Sequence, residues 1–214
     1  MFSELVNIME KEKIIAILRD VPTKKLEIVL NILKEEGIKI LEIALNSNDI
    51  EKQFEILNSK YKKDFIIGAG TVTTLERFNF ALENKVQFLL TPNLNEEILK
   101  EAEKNNILCV CGFFTASEVV IAKKYNCCEI LKLFPAGELP ISYLKSLRGP
   151  LGNFKCMAVG GVNKDNTLDF LKAGFNCLGI GSSLVDNKLI KNEQYDLLRE
   201  NIRNIKNEIK KFGK

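Results

Sequence analysis

Eight apolar runs of strand length, each followed by a longer segment of helical period, recur along this chain at intervals of roughly 20 to 27 residues. The first is Ile14-Ile15-Ala16-Ile17-Leu18, and the stretch behind it sets Leu26, Val29, Leu30 and Leu33 on one helical face. The others are Ile38 to Ala44, Phe65 to Ala69, Gln87 to Leu90, Ile107 to Val110, Glu129 to Phe134, Cys156 to Val159 and Cys177 to Gly181. Near-continuous apolar runs alternating with helices are the pattern of parallel strands covered on both faces. Helix starts are expected at Pro22-Thr23, Ser47-Asn48-Asp49, Thr73-Thr74, Asn93-Leu94-Asn95, Thr115 to Glu118 and Asn163-Lys164-Asp165, where capping side chains cluster. Gly37 and Gly174 sit where left-handed helix ends are expected. No linker or change of composition divides the 214 residues, so residues 1–214 read as a single α/β domain, a (β/α)8 TIM barrel. An open doubly wound sheet would carry a glycine-rich turn after its first strand, and Leu18-Arg19-Asp20-Val21-Pro22 is not one. Phe2 to Lys11 reads as a short helix closing the barrel floor, and Asp186 to Lys214 as terminal helix.

Several function classes are excluded or made remote by composition. Histidine is absent, which removes the commonest general base and metal ligand together. A net charge of +3 argues against a nucleic-acid partner, and the locally basic stretch from Arg199 to Lys214 reads as a solvated helix face. The opening MFSELVNIMEKEK lacks the basic and apolar regions of a signal peptide, and no apolar stretch approaches the roughly 20 residues that span a bilayer. A cytoplasmic location with no membrane partner is the expectation. Cys109, Cys111, Cys127, Cys128, Cys156 and Cys177 lack C-x-x-C spacing and read as reduced, mostly buried small hydrophobes.

Against this background Lys132 stands out, a lone cation in Ile130-Leu131-Lys132-Leu133-Phe134-Pro135. A desolvated lysine has a lowered pKa and is the usual nucleophile for forming a Schiff base with a carbonyl compound. Taken alone, it also fits a strand-end lysine whose head reaches solvent. Alternation places Lys132 with Ile130 and Phe134, Glu42 with Ile40 and Ala44, and Arg19 with Ile15 and Ile17. If those faces look inward, three charges meet at the end of the barrel where such enzymes build their sites. A carboxylate held there beside a neutral amine can move protons near neutral pH. Val159-Gly160-Gly161-Val162 and Gly179-Ile180-Gly181-Ser182-Ser183 lie on strands seven and eight, where many barrels bind phosphate. Gly68-Ala69-Gly70-Thr71 lets backbone approach a ligand; Thr71 alternates onto the face of Phe65 and Ile67, and its hydroxyl is a candidate carboxylate contact.

Six segments in order carry a resemblance: Leu41 to Ser47, Ile67 to Val72, Thr91-Pro92-Asn93, Thr115 to Glu118, Leu131 to Ala136 and Ala158 to Val162. Together the region from Ile15 to Val185 resembles the class I aldolases that cleave 2-keto-3-deoxy-6-phospho sugar acids. The resemblance implies that Lys132 forms a Schiff base with pyruvate and that Glu42 is the general acid and base. It implies that Arg19 and Thr71 contact the pyruvate end, that Gly160, Gly161, Gly181 and Ser182 hold phosphate, and that Pro92 and Phe134 also touch substrate. No cofactor or metal is implied; the ligands are a phosphorylated sugar acid and pyruvate, and the assembly is a homotrimer. Leu45-Asn46-Ser47, Thr91-Pro92-Asn93 and Ala158-Val159-Gly160-Gly161 are similar to the 6-phosphogalactonate branch rather than the 6-phosphogluconate and hydroxy-oxoglutarate branch. Cys111-Gly112-Phe113-Phe114 departs from the family pattern, and its two phenylalanines are expected to narrow the pocket. A phosphate-binding isomerase or epimerase, and a non-catalytic ligand-binding barrel, are the other readings.

Overall fold

In the computed structural model, which describes residues 2–213, eight parallel strands close into a barrel in sequence order. They are β1 (Ile14–Leu18), β2 (Ile40–Ala44), β3 (Ile66–Gly70), β4 (Phe88–Leu90), β5 (Leu108–Phe113), β6 (Ile130–Leu133), β7 (Lys155–Val159) and β8 (Cys177–Ile180). The ring is sealed where β1 pairs β8, with Ile14 opposite Leu178 and Ala16 opposite Ile180. The helices are α1 (Phe2–Glu12), α2 (Thr23–Glu35), α3 (Ile50–Ile56), α4 (Leu75–Glu83), α5 (Glu96–Lys104), α6 (Ala116–Ala122), α7 (Tyr143–Leu151), α8 (Thr167–Lys172), α9 (Asn187–Lys191) and α10 (Tyr195–Lys210).

Strand alternation divides the apolar residues into two bodies. Outward residues such as Leu41, Ile43, Cys109, Cys111, Leu131 and Leu133 pack against the helices. Inward residues such as Ile15, Ile40, Phe88, Leu108, Ile130 and Met157 fill the barrel, and Val6 and Met9 of α1 close its floor. Phe88 fits the interior only because Gly68 lies beside it: a Cβ on Gly68 would stand 2.3 Å from the Phe88 ring. All six cysteines are free and buried, as read from the sequence. Among the described residues no helix is long and apolar enough to cross a membrane.

Side-chain caps mark where α4, α5, α6 and α9 begin. Thr74 and Asn95 accept hydrogen bonds from the first turns of α4 and α5, and Thr115 with Glu118 forms a reciprocal capping box on α6. One expected start comes without its cap and another shifts. Asp49 precedes α3 in a left-handed conformation without a side-chain cap. The stretch from Asn163 makes a tight turn instead, Asn163 Oδ1 accepting from Asp165 N at 2.8 Å, and α8 starts at Thr167. Residues after Asp186 form two helices rather than one, with Asp186 capping α9; Lys214 lies outside the described residues. β5 runs to Phe113, past the Val110 end read from its apolar run, because Cys111 and Phe113 continue to pair with Leu131 and Leu133 of β6.

Gly112 tests this close packing. A Cβ there would lie 2.3 Å from the Pro92 carbonyl carbon, which is backbone and cannot swing aside. We expect Gly112→Ala to lower unfolding stability by about 1–3 kcal/mol. Gly181→Ala, whose added carbon would meet nothing nearer than Ile17 at 3.9 Å, should stay within about 0.5 kcal/mol of the parent in the same denaturant titration.

Candidate active site

Glu42 is the third residue of β2 and Lys132 the third residue of β6. Four strands apart in a ring of eight, these two strands stand opposite each other. Both side chains alternate with interior residues, Ile40 for Glu42 and Ile130 for Lys132, so the acid and the amine converge on the barrel axis. They are almost wholly buried, at 2% and 6% exposure. Gly70 makes room for the acid: a Cβ at this position would fall 1.2 Å from Glu42 Oε1. Gly112 pairs with Lys132 across the β5–β6 ladder. The Phe134 ring lies over the amine, its centre 4.8 Å from Nζ.

Burial sets the protonation of both groups. Loss of water pushes the Glu42 carboxyl up to about 7, against the pull of the Lys132 and Arg19 charges. Loss of water likewise pushes the Lys132 amine down to about 8; the facing Glu42 carboxylate opposes that shift and the Arg19 guanidinium adds to it. A lysine in this state offers an appreciable fraction of neutral amine near pH 7, and its partner can both give and take a proton.

Arg19 follows β1 and Thr71 follows β3, and Arg19 Nη2 donates to Thr71 Oγ1 at 3.4 Å. Thr71 arrives there by a different route from the one alternation implies. Phe65 and Ile67 belong to the outer packing layer, so strict alternation would turn Thr71 toward the helices. Its positive φ of 58° breaks the alternation and accompanies its contact with Arg19. The expected narrowing by phenylalanine is also corrected. Phe113 is buried in the outer layer, edge-on to Phe154, and Phe114 is 43% exposed and stacks on Tyr143. Neither lines the cleft, because Gly112, not Phe113, occupies the inward position opposite Lys132.

That cleft, of about 310 Å³, opens beside the amine and is lined by Arg19, Phe134, Gly160, Gly161, Gly181 and Ser182, all singled out from the sequence. Phe134 and Arg19 connect it to Lys132 and Glu42, which lie deeper and outside its lining. Gly160 and Gly161 have φ of 87° and 73°, a turn that glycine adopts without strain. The Gly160 carbonyl accepts from Gly137 N at 2.8 Å, and the Gly161 carbonyl accepts from Asn166 Nδ2 at 2.8 Å. Pro92 lies apart from this cleft, its carbonyl carbon packed over Gly112, in a turn closed by Thr91 Oγ1 donating to Asn93 O at 2.7 Å.

Sequence reasoning missed Asn187 and Asn201. Asn187 Nδ2 donates to the Arg19 carbonyl at 2.7 Å, and Asn201 Nδ2 donates to the Ser183 carbonyl at 2.5 Å. Asn187 reaches the cleft itself, and Asn201 holds the backbone of its lining residue Ser183. Asn187 Oδ1 is the buried side-chain polar atom that lacks a partner among the described residues, and Asn187 also lines the cleft. Among the described residues no three histidine, cysteine, aspartate or glutamate side chains are grouped to hold a metal ion.

Comparison with known proteins bears on the family and the fold. The family model described as KDPG and KHG aldolase matches residues 5–200. A probable 2-dehydro-3-deoxy-6-phosphogalactonate aldolase of Rhizobium meliloti (strain 1021) is 32% identical over 172 residues, 80% of this chain and 81% of the relative. A solved structure described as native KDPGal superposes with a TM-score of 0.81 at 26% identity, covering 92% of this chain and 96% of the other. KDPG aldolase from Legionella pneumophila, solved with pyruvate captured at low pH as a covalent carbinolamine intermediate, superposes at 0.83 with 25% identity over 92% of this chain and 95% of that one.

The opposed effects of the two neighbouring charges on Lys132 give a signed test. Glu42→Gln removes the charge that favours the ammonium, so the pH midpoint for borohydride trapping of a small keto acid at Lys132 should fall. Arg19→Gln removes the charge that disfavours it, so the midpoint should rise.

Proposed function

The chain belongs to the KDPG and KHG aldolase family, and we propose that it cleaves 2-dehydro-3-deoxy-6-phosphogalactonate to pyruvate and D-glyceraldehyde 3-phosphate with Lys132 as the Schiff-base nucleophile and Glu42 as the general acid and base. The observation that carries this reading is an amine with a depressed pKa facing a carboxyl with a raised one across a closed, apolar interior. With its pKa near 8, about one amine in ten is neutral at pH 7, against roughly one in three thousand for an ordinary lysine.

Neutral Lys132 attacks the C2 ketone, and the Glu42 carboxyl protonates the departing hydroxyl of the carbinolamine, so that loss of water leaves an iminium and a Glu42 carboxylate. Glu42 takes the proton of the C4 hydroxyl as the C3–C4 bond breaks, and the bonding electrons pass to the iminium nitrogen, giving an enamine and free aldehyde. Protonation of C3 and hydrolysis then release pyruvate and restore the amine. Arg19 and Thr71 hold the pyruvyl carboxylate beside the forming imine. Phe134 keeps water from the amine, and its ring face favours the positive nitrogen of the intermediate. Gly160, Gly161, Gly181 and Ser182 bind the phosphate through backbone N–H groups and a hydroxyl, and so orient the C3–C4 bond using contacts remote from it. Pro92 shapes the wall beside Gly112.

Leu45-Asn46-Ser47 and Ala158-Val159-Gly160-Gly161 support the galactonate-derived substrate over its C4 epimer. The reading also carries one catalytic domain over residues 1–214, a cytoplasmic location and a homotrimer, whose mass in sedimentation should be three times that of the chain.

Reduction with borohydride in the presence of pyruvate should add one reduced pyruvyl group, found by mass spectrometry on Lys132; an adduct elsewhere, or none in active protein, would refute the mechanism. Lys132→Ala should lose turnover, whereas an isomerase or epimerase using the same cleft would retain it. The ratio of kcat/KM for the two epimeric phospho sugar acids should favour the galactonate-derived one, and a clear preference for the gluconate-derived epimer would reverse the substrate assignment. The attacking amine must be neutral, so kcat/KM should rise with pH as Lys132 releases its proton near about 8.

A further inference from the structure

Thr71 occupies a conformation that its residue type resists. Seven non-glycine residues among those described have positive φ: Lys13, Asp20, Asp49, Thr71, Lys85, Asn106 and Glu193. Thr71 alone among them is branched at Cβ, which makes the left-handed region most costly. Such a residue keeps its shape only where surrounding contacts hold it there. One contact comes from behind: Val72 is buried, and its N–H donates to Leu90 O of β4 at 3.3 Å. The other comes from α4. Arg77 sits in the first turn of that helix, its backbone N–H held by the Thr74 cap at 3.3 Å. From this fixed base its guanidinium reaches back along the loop, Nη1 donating to the Thr71 carbonyl at 3.2 Å and to Thr73 Oγ1 at 2.9 Å.

We propose that Arg77 is a positioning residue: by gripping the Thr71 carbonyl and the Thr73 hydroxyl it keeps Thr71 left-handed and holds its hydroxyl beside Arg19, where the substrate carboxylate binds. The inference deepens the functional reading above and rests on its assignment of Thr71 to the pyruvyl carboxylate. Arg77 does not line the cleft. Its influence on the ligand therefore passes through the backbone of one strained residue. A charged donor suits this task because its hydrogen bonds are stronger than those of a neutral amide, and the two N–H groups on Nη1 meet both acceptors at once.

The test is a double-mutant cycle on pyruvate trapping, with thermal melting of every variant as a control on folding. Arg77→Ala should raise the pyruvate concentration that gives half-maximal borohydride trapping at Lys132 by about tenfold, the loss expected for one hydrogen bond from a charged donor. The trapping rate at saturating pyruvate should change less than twofold. Arg77→Lys, which keeps a charge but ends short of the Nη1 position, should fall between the two and serves in place of the alanine variant if that one fails to fold. Thr71→Gly removes both the hydroxyl and the strain, so Arg77→Ala added to it should weaken trapping no further. An equal effect of Arg77→Ala in the presence and absence of Thr71 would overturn the proposal, as would a lowered melting temperature with unchanged pyruvate affinity. Parent protein that traps no pyruvate at Lys132 would instead refute the functional reading itself.

Discussion

Taking one amine and one carboxylic acid out of water together is the constraint around which this barrel is arranged. Either group buried by itself and charged would be strongly disfavoured, and each would simply neutralise. Facing each other from opposite strands, with Arg19 near both, they retain a balance of charged and neutral forms close to neutral pH. The closed ring is what makes this possible, because no sheet edge remains through which either side chain could reach solvent. Glycine serves different ends nearby: Gly70 makes room for the acid, Gly112 lets the Pro92 turn pack against β5, and Gly160 and Gly161 turn the chain at the cleft.

The ends of the strands are where catalytic and packing demands meet. Within the strands, side chains obey alternation and divide cleanly into an inner set and an outer set. One residue beyond, the rule fails. Thr71 keeps its contact with Arg19 only through a left-handed backbone, while Phe113 follows the rule and is carried away from the cleft into the layer against Phe154.

This division also explains how much could be read from sequence. Period and capping residues are local properties, so the barrel, its strand order and the burial of Lys132 and Glu42 were legible in the order of residues. The glycines at the ends of strands seven and eight, which line the cleft, were legible for a similar reason, since what they allow the backbone to do follows from residue type alone. Thr71 was selected for its hydroxyl and chain position, but the parity argument offered for it was wrong, because a single backbone angle resets parity and leaves little trace in composition. Asn187 and Asn201 left no local signal at all. They act on Arg19 and Ser183 across separations of 168 and 18 residues, and asparagine in a terminal segment is ordinarily a surface residue.

The contact between Gly70 and Glu42 has a historical consequence. A β-carbon at position 70 would coincide with the acid's own oxygen, 1.2 Å away. Descendants of this chain can therefore acquire a side chain at 70 only after the residue at 42 has been shortened or turned aside. The opposite order passes through an ancestor unable to seat its acid. Two neighbouring positions are thus bound to a fixed sequence of change, and any replacement of the buried acid that also fills position 70 must begin at 42.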